Sequence, residues 1–296
     1  MLGHLHCFED AITADTTMFK EISGGQSERR PIGLFDSGFG GLTVARACID
    51  LLAGESVVYI GDTARYPYGP RRLDEVREFA FQITTQLVER FDAKAVVVAC
   101  NTASAAALNE LQDAFEIPIF GVIEPGAKSA IQATRSKRVG VIGTVGTINS
   151  GAYQDAMREA DPDVDLVALA CPGFVEFVER GEFASEQVHV LAERLLAPAV
   201  AAGVDTLLLG CTHYPYLART IAAVMGRDVV LVSSADETAF AVRAALQDMN
   251  LLSPASTDTH NEFYTTGDVH WFQELGSKLL GPELALAHEI DLFAAG

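Results

Sequence analysis

Two stretches of the chain end in the same set of reactive groups. Val96 to Ser104 reads VVVACNTAS and Leu207 to Pro215 reads LLLGCTHYP, so in each an apolar run closes on a small residue, a cysteine and a polar pair. Each run reads as a buried strand, and the cysteine stands at its carboxyl end just ahead of a helix. A thiol at a helix N-terminus is biased toward thiolate by unsatisfied N–H groups and the macrodipole. Thr102, Ser104 and Thr212 are residue types suited to capping those helices. One such cysteine alone would be read as structural. Two of them, Cys100 and Cys211, at parallel positions about a hundred residues apart, read as a working pair. Two thiols facing one small cavity can take a proton from one face of a carbon and return another to the opposite face, which inverts a stereocentre. Helix N-terminal N–H groups would hold the carboxylate of the developing carbanion. His213, two residues beyond Cys211, puts an imidazole at the same opening for proton transfer.

Two loops supply further polar groups. FDSGFGGLTV (35–44) offers Asp36 and Ser37 and then three glycines at a strand-to-helix turn, where backbone can approach a ligand closely. A carboxylate there argues against a bound phosphate and suits an ammonium group or a neighbouring base. GDTARYPYGPRR (61–72) holds Tyr66 and Tyr68 in a proline- and glycine-containing turn that could close over a small ligand. No metal-ligand spacing, phosphate loop or dinucleotide fingerprint is evident, so no metal is expected. No lysine lies in these stretches, which leaves open only a pyridoxal lysine from elsewhere in the chain.

The remaining cysteines, Cys7, Cys48 and Cys171, lack this context. Cys48 falls inside a helical pattern and reads as core, and Cys171 ends a strand but meets a proline, so it reads as structural. Five cysteines without a CxxC pair make neither a disulfide scaffold nor a structural zinc site. With 40 acidic against 21 basic residues the net charge is −19, a field that repels nucleic acid and anionic membranes. The first residues lack the basic and apolar regions of a secretory signal. No uncharged apolar run nears the roughly 18–20 residues that span a bilayer. The chain reads as soluble and cytoplasmic.

These groups need a scaffold, and the rest of the sequence describes one. Residues 1–30 end in the linker-like SGGQSERR and read as an extension ahead of the folded body. From Pro31, short apolar runs (31–38, 56–62, 94–101, 117–124, 138–144, 165–171, 205–212, 228–235, 262–268) alternate with stretches of helical period. Alternating strands and helices imply mainly parallel sheets covered on both faces, with ligands beyond the carboxyl ends of the strands. The polar clusters above all lie at such ends. A division falls near GVIEPGAKSA (121–130).

Six segments together, IGLFDSGFGGLTV, YIGDTARYPYGPR, ACNTASA, GVIEPGA, VGVIGTVGTINSGAY and LLLGCTHYP, resemble the glutamate racemases of the aspartate/glutamate racemase superfamily, in order and spacing, from about Pro31 to Leu280. The resemblance implies two similar doubly wound α/β domains with the active site in the cleft between them. It places the first domain at residues 31–123 plus 236–296 and the second at 124–235. It implies an isomerase that interconverts L- and D-glutamate without a cofactor, the D-isomer serving peptidoglycan synthesis and hence cell shape. Cys100 would act on the D-glutamate side and Cys211 on the L-glutamate side, assisted by Asp36 and His213 respectively. Asp36, Ser37, Tyr68, Gly69, Asn101, Thr102, Thr212 and His213 match the family's substrate-contacting pairs, and Thr144 is a further candidate for holding substrate. Glu176 falls where the family often has a residue near the site entrance. An aspartate racemase of the same superfamily is the neighbouring alternative. Some members with an N-terminal extension depend on UDP-N-acetylmuramoyl-alanine as activator, some are dimers, and some also bind and inhibit DNA gyrase. The resemblance thus names an activator and a homodimer as partner expectations; nothing in the sequence recognisably encodes the gyrase role.

Overall fold

In the computed structural model, residues 29–254 and 259–293 are described. The extension expected over residues 1–30, with Cys7, lies outside the described residues apart from Arg29 and Arg30. The first half opens with strand β1 (Ile32–Asp36), helix α1 (Leu42–Leu51), β2 (Val57–Gly61), α2 (Leu73–Glu89), β3 (Ala95–Val98), α3 (Asn101–Ala114) and β4 (Ile119–Gly121). The second runs through α4 (Ile123–Ala133), β5 (Arg138–Gly143), α5 (Val145–Asn149), α6 (Ala152–Ala160), β6 (Asp165–Ala170), α7 (Phe174–Glu179), α8 (Glu186–Ala202), β7 (Thr206–Gly210), α9 (Ala218–Met225) and β8 (Val230–Ser233). The chain then returns through α10 (Ala235–Asp248), β9 (Asn261–Thr265), α11 (Val269–Leu280) and the two-residue β10 (His288–Glu289).

The strands form two sheets, ordered β10-β9-β2-β1-β3-β4 and β6-β5-β7-β8, and every pairing is parallel. The central strands β1, β2, β3 and β7 are buried along their whole length. This is why they read as unbroken apolar runs rather than alternating ones. The first sheet packs α1, α10 and α11 on one face and α2 and α3 on the other. The second sheet is likewise sandwiched, with α8 and α9 on one face and α4 and α6 on the other. Helix α10 thus buries Ala239, Val242 and Leu246 in the core of the first sheet, although it follows the last strand of the second.

The two sheets repeat one topology. In both, the first strand lies between the second and third, with the fourth outside: 2-1-3-4 in one, 6-5-7-8 in the other. Each therefore has a switch point between its first and third strands, β1/β3 and β5/β7, where an open parallel sheet leaves a crevice at the strand ends. Asp36 and Thr144 end or follow the first strand of each sheet, and Cys100 and Cys211 follow the third. The repeated apolar-cysteine pattern is the sequence trace of that repeated crevice.

Candidate active site

The two crevices face one another across a single small cavity. Asp36, Ser37, Tyr66, Pro67, Tyr68, Gly69, Cys100, Asn101 and Thr102 line it from the first half, and Thr144, Val175, Cys211, Thr212 and His213 from the second. Its volume is ≈ 20 Å³, room for about one water molecule. Every sequence-predicted site residue therefore reaches the same place except Glu176, which is exposed. The carboxylate that reaches the site instead is Glu179, one helical turn along α7, whose Oε1 lies 3.2 Å from His213 Nε2. Sequence spacing could not separate the two glutamates, because both lie in the same short helix.

Cys100 occupies the N-cap position of α3 with extended backbone (φ −92°, ψ 123°), and no side chain caps that helix. Contrary to expectation, Thr102 and Ser104 do not cap it. The Thr102 hydroxyl meets Thr144 Oγ1 at 3.0 Å and Thr147 Oγ1 at 3.1 Å, and Ser104 Oγ donates to the Val98 carbonyl at 2.9 Å. Two backbone amides turn to the sulfur instead: the N–H of Ala103, in the first turn of α3, and that of Ser37, just after β1, favour a Cys100 thiolate. Burial outweighs them, and with the nearby Asp36 charge it pushes the Cys100 thiol well above its ordinary value. The expected thiolate bias at the helix end is thus reversed in this closed form.

Cys211 differs from expectation too. No α-helix begins directly after it; a turn leads into a 3₁₀ segment, Tyr214–Leu217, with His213 at its N-cap, and Thr212 caps no helix. Pro215 falls in the first turn of that segment, where a missing N–H costs nothing. The Cys211 Sγ lies 3.9 Å from His213 Nδ1, and Glu179 takes the other ring nitrogen. Burial pulls the imidazole down most strongly, but hydrogen bonds to Cys211 and Glu179, and the charges of Cys211 and Asp36, outweigh it. The net effect pushes His213 up to about 10.

Asp36 is fully buried at the end of β1. Its Oδ2 accepts from the Gly41 N–H at 2.9 Å, while Oδ1 has no protein partner. Gly41 is required for this, because a Cβ there would lie 2.6 Å from the Asp36 Cβ. Asn101 is also half-satisfied: Nδ2 donates to the Tyr153 hydroxyl at 2.7 Å, and Oδ1 is buried without a partner. Two buried acceptors left open on one cavity wall suit a ligand cation such as an ammonium group. The Tyr68 hydroxyl donates to Asp62, which also accepts from Arg65 Nε at 2.7 Å and Thr266 Oγ1 at 2.7 Å, and this fixes the 62–72 loop. The Tyr66–Pro67 peptide within it is cis. Ser37 Oγ lies 3.9 Å from Cys100 Sγ.

Contacts between the halves are short. The Gly146 N–H donates to the Gly69 carbonyl at 2.9 Å, and a Cβ at Gly69 would lie 2.8 Å from the Thr144 Cβ. Cys48 is buried within α1 and Cys171 beneath the Tyr214 hydroxyl, which donates to its carbonyl at 3.0 Å. Burial raises both thiols to about 12, as expected of structural cysteines.

Comparison with known proteins points one way. A family model described as Asp/Glu/Hydantoin racemase matches residues 32–244. The glutamate racemase of Corynebacterium glutamicum is 52% identical over 256 residues, covering 85% of this chain and 92% of that protein. A crystal structure of a glutamate racemase isoform from Bacillus anthracis superposes with TM-score 0.85 at 41% identity, covering 90% of this chain and all of that one. The Escherichia coli glutamate racemase, solved with L-glutamate and the activator UDP-MurNAc-Ala, gives TM-score 0.73 at 26% identity, over 88% of this chain and 98% of that one.

Proposed function

The chain belongs to the Asp/Glu/Hydantoin racemase family and is an amino-acid racemase, and from that premise we propose that it interconverts L- and D-glutamate by two-base proton transfer between Cys100 and Cys211. The observation that carries the mechanism is that one cysteine from each sheet, at equivalent strand ends, lines the same small cavity. With L-glutamate bound, the Cys211 thiolate removes the Cα proton, and the Cys100 thiol delivers its own proton to the opposite face, leaving D-glutamate. The reverse reaction exchanges the roles.

The surroundings support each step. The upward push on Cys100 favours the protonated thiol, the form that donates. His213, held protonated between Cys211 and Glu179, lies 3.9 Å from the Cys211 sulfur, where an imidazole can assist proton transfer. The open Oδ1 atoms of Asp36 and Asn101 accept from the substrate ammonium, and Asp36 assists Cys100. Ser37, Thr102, Thr144 and Thr212 line the cavity and on this reading meet its carboxylates with their hydroxyls, together with the backbone at Tyr68 and Gly69. A cavity of ≈ 20 Å³ cannot admit glutamate, so the halves separate to bind and close to react. We take them as domains 31–123 with 236–296 and 124–235, a division supported by the return of α10 to the first core. We assign the D-glutamate product to peptidoglycan synthesis and the enzyme to the cytoplasm, where working thiols stay reduced. UDP-MurNAc-Ala is a candidate activator because the Escherichia coli relative binds it.

The test is solvent deuterium incorporation at Cα of L- and D-glutamate, with aspartate as comparison, in wild type, Cys100→Ser and Cys211→Ser. The reading expects exchange and inversion of glutamate in wild type, and a different enantiomer losing exchange in each variant. Inversion persisting in both variants would sink the two-thiol mechanism.

A further inference from the structure

His213 is carried by the second half, yet the first half packs against it. Phe39, in the turn between β1 and α1, lies 5.7 Å from the imidazole, centroid to centroid, at 58°. Tyr66 lies 6.2 Å from it at 31°, and Phe39 and Tyr66 are 6.3 Å apart. Between them the backbone closes in: a Cβ at Gly40 would collide with His213 Nδ1 and lie 2.5 Å from Thr212 Oγ1. On its outer side Phe39 meets Trp271 of α11 edge-on, at 5.1 Å and 72°. Phe39 has no exposed surface, whereas Trp271 is 39% exposed. An aromatic relay therefore runs from the molecular surface to the imidazole beside Cys211.

The in-plane restraints on that imidazole are uneven. Glu179 holds Nε2 at 3.2 Å, but the sulfur contact at Nδ1, at 3.9 Å, is long even for sulfur and restrains the ring weakly. Packing must then set the plane in which Nδ1 faces Cys211, and Phe39 and Tyr66 supply that packing from the opposite half. Resting on the two-thiol reading above, we propose that Phe39, braced by Trp271, is a positioning residue for proton transfer on the Cys211 side. It aligns His213 only when the halves are closed. The Cys211 base is thus completed by closure, whereas Tyr68, on the cavity wall contributed by the first half, is anchored to Asp62 within its own half.

Enantiomers have equal free energy, so kcat/KM must be equal in the two directions, and a fault on one side cannot appear as a directional rate difference. It appears in isotope effects. With Cα-deuterated L-glutamate the labelled bond breaks at Cys211, and with the D-isomer at Cys100. Phe39→Leu keeps apolar volume but removes the ring, and is expected to lower kcat/KM about tenfold, as a small misplacement of a reacting group does. The deuterium effect on kcat/KM should rise from the L side relative to the D side. Trp271→Ala should move the same ratio in the same direction by less, and Trp271→Phe should restore it. If Phe39→Leu does not fold, the Trp271 pair decides, since Trp271 is partly exposed. Isotope effects that stay in their wild-type ratio in a variant of unchanged melting temperature would show that Phe39 only fills core, and overturn the proposal. Absence of any Cα exchange in wild type would instead overturn the racemase reading on which it rests.

Discussion

His213 holds an unusual electrostatic position, buried between a thiol and a carboxylate that both favour its charged form. Its pKa lies near 6.5 unfolded and about 10 folded, so the folded chain binds that proton more tightly. The associated stability is fully present below about pH 6.5 and is lost as pH rises through about 10. His213→Gln should therefore be most destabilised relative to wild type near pH 6, with the gap narrowing toward pH 10 in urea midpoints. A gap independent of pH would mean that His213 is neutral in the folded protein. Glu179→Gln keeps an acceptor at Nε2 but removes the carboxylate charge that favours the imidazolium, and should lower kcat by about 10²-fold, the lower range of general acid–base contributions, while the melting temperature shifts little. At this scale the sequence was legible wherever chemistry is local. Cys100, Cys211, Asp36 and His213 announce themselves by lying at the ends of apolar runs. Glu179 and Phe39 do not, because each matters only through a partner brought from a distant segment: Glu179 lies 34 residues from His213, and Phe39 lies in the other half of the chain.

The elements follow the same logic. Fully buried parallel strands leave continuous apolar runs, so β1, β2, β3 and β7 could be read directly, and the half-buried β6, β8 and β9 keep enough apolar residues to be read beside them; β10, two exposed residues at a sheet edge, leaves no such run. Capping was misread for a tertiary reason. Thr102, Ser104 and Thr212 have the right chemistry for N-caps, but Thr102 and Thr212 line the cavity where two crevices meet, and the hydroxyls of Thr102 and Ser104 are bonded elsewhere. The β1–α1 turn carries a sharper prediction. Gly40 has no left-handed backbone to forbid alanine, so Gly40→Ala should fold with nearly unchanged melting temperature. The added methyl would strike His213 and Thr212 across the cleft, and separation of the halves relieves that clash. Loss of kcat/KM on the order of 10²-fold, with a rise in KM, is expected, since misplacement on that scale is costly. A variant that loses melting temperature but keeps kcat/KM would contradict this account.

Across the whole molecule, the chain leaves the first sheet, builds the second and returns, and a buried ion pair secures the return. Lys94 Nζ lies 2.6 Å from Glu55 Oε2 and donates to the Leu251 carbonyl at 2.7 Å, while the Ser253 N–H donates to Glu55 Oε1 at 2.7 Å. Lys94 precedes β3 and Glu55 precedes β2, so the cluster lies at the amino ends of the strands, opposite the cavity. Lys94→Met strands a buried carboxylate and should cost about 3–5 kcal/mol in urea unfolding. The folded enzyme should keep its kcat; a selective loss of activity would show that the cluster communicates with the cleft. Trp271 bears on the opening itself. It is the chain's only tryptophan, and it rests on the ring that leaves His213 when the halves part. The protein therefore carries its own fluorophore against the contact that the proposed cycle would make and break. Its emission should change as glutamate closes the cleft, and rapid mixing would time admission of substrate separately from the chemistry, with no label attached.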